Sequence, residues 1–198
     1  MARKVARVLA VGDAIMDVVT PPLAGLPSGD VQAQVSRFTL LPGGNATNFA
    51  LQMATLGMRT SLVASVGKDS FAETLRQAYR DHGVDAHLRA DPHLPTGTTV
   101  ALTWTDGRRA LLTALGANAG LREQDIPAGL LSSATHVHRA GFWWATGLIG
   151  APTVRLLRRA KRAGAGTSMD ISTDPEGWPR TRVEAVRACL PYVDTFFG

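Results

Sequence analysis

Two aspartates four residues apart, Asp13 and Asp17, follow a short apolar run in "VGDAIMD". Further on, "LLPGGNATNFALQMATLG" sets Gly43, Gly44, Asn45 and Asn48 at the mouth of an apolar, helix-periodic stretch. Asp69 follows Gly67, and Asp170 lies in "SMDIS". An ionised carboxylate only accepts hydrogen bonds and can take two hydroxyls, whereas an amide side chain donates and accepts. Glycines remove side chains where the backbone turns. The first N–H groups of a helix are unpaired and point outward, open to a polar ligand. These residue types suit a ligand rich in hydroxyl groups. The plainer alternative for 43–48 is a helix start with ordinary capping.

The elements that must position these residues alternate between strand and helix. Residues 7–12 read as a buried strand ended by glycine. Residues 18–20 and 31–41 read as extended pieces, the second with partial alternation. A helix is expected over 45–56, with Gly57 as its stop, then a strand over 61–66. A further helix covers 70–81, with Ser70 as its N-cap. Asp106-Gly107 between 98–105 and 109–115 is a hairpin signal. Strands are expected at 135–139 and 166–171, helices at 148–163 and 182–190, and a last extended piece at 192–197. The alternation predicts an α/β fold, a mainly parallel sheet covered by helices on both faces. The hairpin and 31–41 break the pattern and read as an extra β layer. In such sheets ligands gather beyond the carboxyl ends of the strands, where the aspartates fall.

Composition suits a globular α/β domain: 198 residues, 45% hydrophobic and 19% charged, with 20 glycines and 11 prolines. Asp13 and Asp17 interrupt the first apolar run, so it does not read as a signal peptide, and no stretch has the length of a membrane span. Cys189 is the single cysteine; it rules out an internal disulfide, reads as a packing residue, and favours a cytoplasmic setting. The net charge of +5 gathers in 155–164, where Arg155, Arg158, Arg159 and Arg162 share one helical face. That reads as a solvated face rather than a nucleic-acid surface. His136 and His138 share a strand face without a further His or Cys nearby in sequence, which favours ordinary histidines over a metal site. Trp143 and Trp144 read as packing or pocket-lining residues. A dinucleotide-binding oxidoreductase is disfavoured, because Gly12 alone stands where Gly-x-Gly-x-x-Gly would be needed.

"GGNATNFALQMATLGMRTSLVASVG" resembles the signature of the ribokinase-like (PfkB-type) carbohydrate and nucleoside kinases, with Gly43, Gly44, Asn48, Ala50, Gly57 and Gly67 at the family's positions. "VGDAIMD" resembles the family's first strand with its substrate-binding aspartate at Asp17. "TGTTVALTWTDGRR" is similar to the lid hairpin, "GANAGL" to the segment after it, and "SMDIS" to a later aspartate-bearing strand. The resemblance implies a ribokinase-like three-layer sandwich with a small β lid at about 18–41 and 97–115, the whole of 1–198 being one part of a single kinase domain. It implies transfer of the γ-phosphoryl group of ATP, with Mg2+, to a hydroxymethyl group of a sugar or nucleoside. Asp17, Gly43, Gly44, Asn45, Asn48 and Asp13 would hold the acceptor, with Asp170 a supporting residue behind it. A homodimer through the β lid is a further expectation.

The sequence departs from the family pattern in places. Asn45 stands where some members carry lysine, Ile15 where some ribose-specific members carry a polar residue, and Ala72 where glycine is frequent. Neither the Asn-x-x-Glu segment nor the Gly-Ala-Gly-Asp motif, which supplies the anion hole and the catalytic base, is found after "YVDTFFG". The expectation is therefore that the base and the C-terminal part of the fold, on the order of 100 residues, lie beyond Gly198. The chain would then carry the acceptor side of the cleft and no catalytic residue or metal ligand of its own. The alternative is a non-catalytic sugar-binding remnant.

Overall fold

The computed structural model describes residues 6–26, 28–30 and 32–198. The apolar run "RVLAV" forms strand β1 (Arg7–Val11), whose last four residues are buried. β1 sits inside a parallel sheet with β4 (Arg59–Val66), β5 (Asp85–Ala90), β8 (His136–Arg139), β9 (Gly166–Asp170) and β10 (Thr195–Phe197), in the order β10-β9-β8-β1-β4-β5. Side-chain alternation divides the core between two faces. Leu9, Val11, Val63 and Val137 pack with Leu131 of α3 (Ala128–Ser133) and Leu156 and Ala160 of α4 (Ala151–Arg162). Ala10, Leu62, Ala64 and Val66 pack on the other side with Ala46 and Ala50 of α1 (Asn45–Thr55) and Leu75 and Tyr79 of α2 (Ser70–Asp81). Met169 of β9 packs with Leu157 of α4 and Val186 of α5 (Arg180–Arg187). Helices on both faces of one sheet make three layers.

A second sheet of four strands, β3-β2-β6-β7, is built from β2 (Ile15–Val19), β3 (Thr39–Gly43), β6 (Gly97–Thr103) and β7 (Arg109–Ala114). The expected β layer is thus present and separate from the main sheet, and the "DG" hairpin joins β6 to β7 in antiparallel register. Its bounds differ from expectation. The layer begins at Ile15, so Asp17 lies on one of its strands. The stretch expected to be extended over 31–41 is a strand only from Thr39; Val31 itself lies outside the described residues. β5 and α3 were not expected. The N-cap of α2 is Asp69 rather than Ser70: its carboxylate accepts the Ala72 N–H at 2.9 Å, as a residue with extended backbone before the first turn can do.

Two side chains, Asn118 buried and Asp69 partly so, pin the junctions between the two sheets. The Asn118 side chain accepts the Ala14 N–H at 2.9 Å and donates to the Ala14 carbonyl at 2.9 Å, holding the β1–β2 link as a strand partner would. Asp69 accepts the Thr96 N–H at 2.7 Å and its hydroxyl at 2.6 Å, tying the end of β4 to the entry of β6. β1 lies between β4, which follows it in the chain, and β8, which comes after the second sheet is complete. This reversal of strand order places a crevice at the carboxyl ends of β1 and β8.

Candidate functional site

Asp13 leaves β1 at that crevice and is fully buried. Its Oδ2 accepts the Asn45 N–H at 3.1 Å and its Oδ1 the Ala46 N–H at 2.9 Å. A carboxylate brought from 32 residues away thus caps α1, whose own N-cap, Gly44, has no side chain to do so. Two glycines make room for it, and a third does so for the neighbouring Ala140 carbonyl. A Cβ on Gly141 would overlap the carboxylate, one on Gly44 (φ +90°) would lie 3.1 Å from it, and one on Gly12 would run into the Ala140 carbonyl. The Thr47 hydroxyl donates to the Asp13 carbonyl at 3.1 Å and accepts from Tyr79 at 2.9 Å. Burial holds the Asp13 carboxyl above its ordinary value, against the pull of the two amides and of Arg139. Each oxygen of Asp13 thus accepts a backbone amide, and the side chain holds the start of α1.

Asp17 is in a different position. It is half-buried on β2, beside Thr99 on β6 and across from Leu41 on β3. Its carboxylate lies over Gly43, where any Cβ would overlap both of its oxygens. Gly43 is thus the space in which the acid stands. Burial raises the Asp17 carboxyl above its ordinary value, the nearby Asp13 adds to this, and Thr99 pulls the other way.

The mouth of α1 supplies amides. The Asn45 side chain donates to Asp170 Oδ2 at 3.1 Å, while Asp170 Oδ1 accepts the Ser172 N–H at 2.9 Å. Asp170 therefore joins α1 to the loop that leaves β9. Asn48 is one turn along α1, with its side chain exposed. The structure brings Asp17, Gly43, Gly44, Asn45 and Asp170 around one helix start, with Asp13 beneath it.

Nothing in the local sequence pattern marks Arg139. It is fully buried at the end of β8, and its guanidinium donates to the carbonyls of Ala140, Phe142 (3.3 Å) and Ala145 (3.5 Å) and to the Thr153 hydroxyl (3.3 Å). Burial lowers its pKa to about 10, with Asp13 acting in the opposite sense. It fixes the loop that carries Gly141 over Asp13. His136 and His138 are both held at 2.7 Å by Ser168, and His138 stacks on Phe49 of α1 with ring centres 3.7 Å apart. They form a polar link between β8 and β9. A cavity of about 320 Å³ lined by Arg7, Arg59 and Asp85 opens at the amino ends of the strands, away from these carboxylates. Among the described residues no three His, Cys, Asp or Glu side chains gather as a metal cage.

A family model described as pfkB family carbohydrate kinase matches residues 5–198. The chain belongs to that family. Among curated members, a 2-dehydro-3-deoxygluconokinase of Thermoproteus tenax is 30% identical over 73% of this chain and 45% of its own length. A nucleoside kinase of Methanothermobacter thermautotrophicus is 31% identical over 96% of this chain and 59% of its own. The chain thus spans about half the length of the curated pfkB relatives it matches. The solved structure of a Xylella fastidiosa fructokinase with bound ATP superposes with a TM-score of 0.78 at 22% identity, covering 96% of this chain and 60% of that one. That likeness carries the fold, and with it the ribokinase-like arrangement expected from the sequence.

Proposed function

We propose that this chain forms the acceptor-binding side of an ATP-dependent sugar or nucleoside kinase. The observation that carries the reading is the Asp17 carboxylate, half-buried over Gly43 beside the glycine-started helix α1. A desolvated carboxylate beside a glycine-started helix is suited to fix hydroxyls, and phosphoryl transfer needs from a protein mainly such positioning together with charge stabilisation. Asp17, Gly43, Gly44, Asn45 and Asn48 hold the acceptor, Asp170 orients Asn45, and Asp13 builds the floor. Names among the relatives, a sugar-acid kinase and a nucleoside kinase, support the acceptor class at that breadth.

The second sheet serves as a lid that excludes water once an acceptor is bound. Its exposed Leu40, Leu41, Leu111 and Leu112 support pairing with the lid of a second copy. ATP and Mg2+ complete the reaction at groups this chain does not assemble, and no step is assigned to them. At the other end, β10 closes the main sheet with Phe196 and Phe197 exposed, an edge suited to further strands. No helix among the described residues is long and apolar enough to cross a membrane; with one cysteine in the chain, a cytoplasmic setting completes the reading.

Calorimetry on the chain with a panel of sugars and nucleosides tests the cleft. Asp17→Asn should weaken the binding partner found by about 10- to 150-fold, the worth of one charge-assisted hydrogen bond. Equal affinity would make Asp17 structural. The chain by itself should release ADP far more slowly than ~1 s⁻¹; acceptor-dependent turnover at that rate would show that it carries its own base and favour the complete enzyme over the alternative of a sugar-binding remnant.

A further inference from the structure

We infer that the mouth of α1 selects an uncharged acceptor that donates hydroxyl hydrogens, a neutral sugar or nucleoside, over a sugar acid or sugar phosphate; this rests on the acceptor-side reading above. The Asn45 amide is the starting point. Its Nδ2 donates one hydrogen to Asp170, which leaves for a ligand Oδ1, an acceptor, and a single N–H. Asp170 is held on its other oxygen by the Ser172 N–H, which fixes the carboxylate behind Asn45 and with it the sense of the amide. Beside it, Asp17 offers a carboxylate over Gly43. A hydroxyl can donate to both groups. A carboxylate or phosphate can donate to neither and meets negative charge at Asp17 and Asp170.

Arg139 and Arg182 are turned to other work. Arg139 is fully buried and its guanidinium faces three carbonyls and Thr153. Arg182, on the helix after the Asp170 loop, pairs with buried Asp174 at 2.8 Å and lies 4.8 Å over the Trp143 ring. Selection in this arrangement comes as much from repulsion of the wrong ligand as from attraction of the right one.

Calorimetry with matched pairs tests it: fructose against fructose 6-phosphate, glucose against gluconate, adenosine against its 5′-monophosphate. The neutral member of whichever pair binds should be favoured by at least about tenfold. Asp170→Asn, which removes one charge while keeping an oxygen for the Ser172 amide, should narrow that preference several-fold. Asn45→Lys should narrow it further, with circular dichroism confirming that each variant is folded. A charged member binding as well as its neutral counterpart to the unaltered chain overturns the inference and leaves the acceptor cleft standing. If no member of any pair binds, the acceptor-side reading fails and the inference with it, a result distinct from the first.

Discussion

Asp13 and Asp17 are the same residue type four positions apart, and the fold puts them to opposite uses. Asp13 ends a strand of the main sheet, where its oxygens are occupied by the first amides of α1 and its surroundings are closed by Gly44 and Gly141. Asp17 is carried onto the second sheet, where a glycine leaves space above it and the one neighbour acting on its charged form favourably is Thr99. A buried carboxylate taken up by amides organises backbone; a half-buried one that keeps access to solvent is available to a ligand, at a cost in stability. The lesson is that a carboxylate near a glycine-rich helix start is not by that placement a ligand-binding group. What decides is whether the amides it faces belong to the protein.

The largest effect separating the two should come from Asp13→Ala. It leaves two amides of α1 uncapped and removes the counter-charge nearest buried Arg139. A buried donor left without its acceptor costs about 1–3 kcal/mol, so two together take a large share of the roughly 5–15 kcal/mol that holds a domain together. Urea unfolding followed by circular dichroism should show this loss. A change below about 1 kcal/mol, the size of a single cap, would mean that these amides find other partners and that Asp13 does not hold the start of α1.

A smaller effect is expected at Gly43. Gly43→Ala places a methyl group against the Asp17 carboxylate, and overpacking of this kind costs about 1–3 kcal/mol. The cause can be isolated by a double-mutant cycle. In an Asp17→Ala background the added methyl should cost little, because the space it needs has been vacated. Equal costs in both backgrounds would place the strain in the backbone of β3 instead.

Much of this arrangement was legible in the sequence because it depends on local pattern. The buried run at 7–12, the helix opening at Asn45 and the "DG" hairpin each declare themselves within a dozen residues. What was not legible depends on pairings made in space. β5 carries Asp85, His87 and Arg89 beside its apolar residues, as an edge strand can, and so lacks a clean hydrophobic signal. The sense of Asp13 was hidden because its partners lie 32 and 33 residues on. Asn118 reaches back 104 residues to Ala14, and Arg139 reads as an ordinary strand-end arginine until its loop folds back over it. The glycines were visible as a motif, but the sequence could not say that Gly43 makes room for one aspartate and Gly44 for the other.

The smallest effect has the opposite sign from the first. The Asp17 carboxyl is raised above its ordinary value near 3.8, first by burial and then by the nearby charge of Asp13. The native chain therefore holds that proton more firmly than the unfolded chain does. Between pH 3.8 and the raised native value, the native state binds more protons, so stability falls as pH rises through this window. At neutral pH the penalty is present in full. Asp17→Asn removes the charge and keeps an oxygen for Thr99, so at pH 7 its urea midpoint should lie above that of the unaltered chain. Below pH 3.8, where the carboxyl is protonated in both states, the difference should vanish. Asparagine at 17 would thus stabilise the fold while weakening the acceptor, whereas alanine at 13 destabilises it. A lower midpoint for Asp17→Asn at pH 7 would show that Asp17, like Asp13, is held by partners inside the protein, and the contrast between the two sheets would be lost.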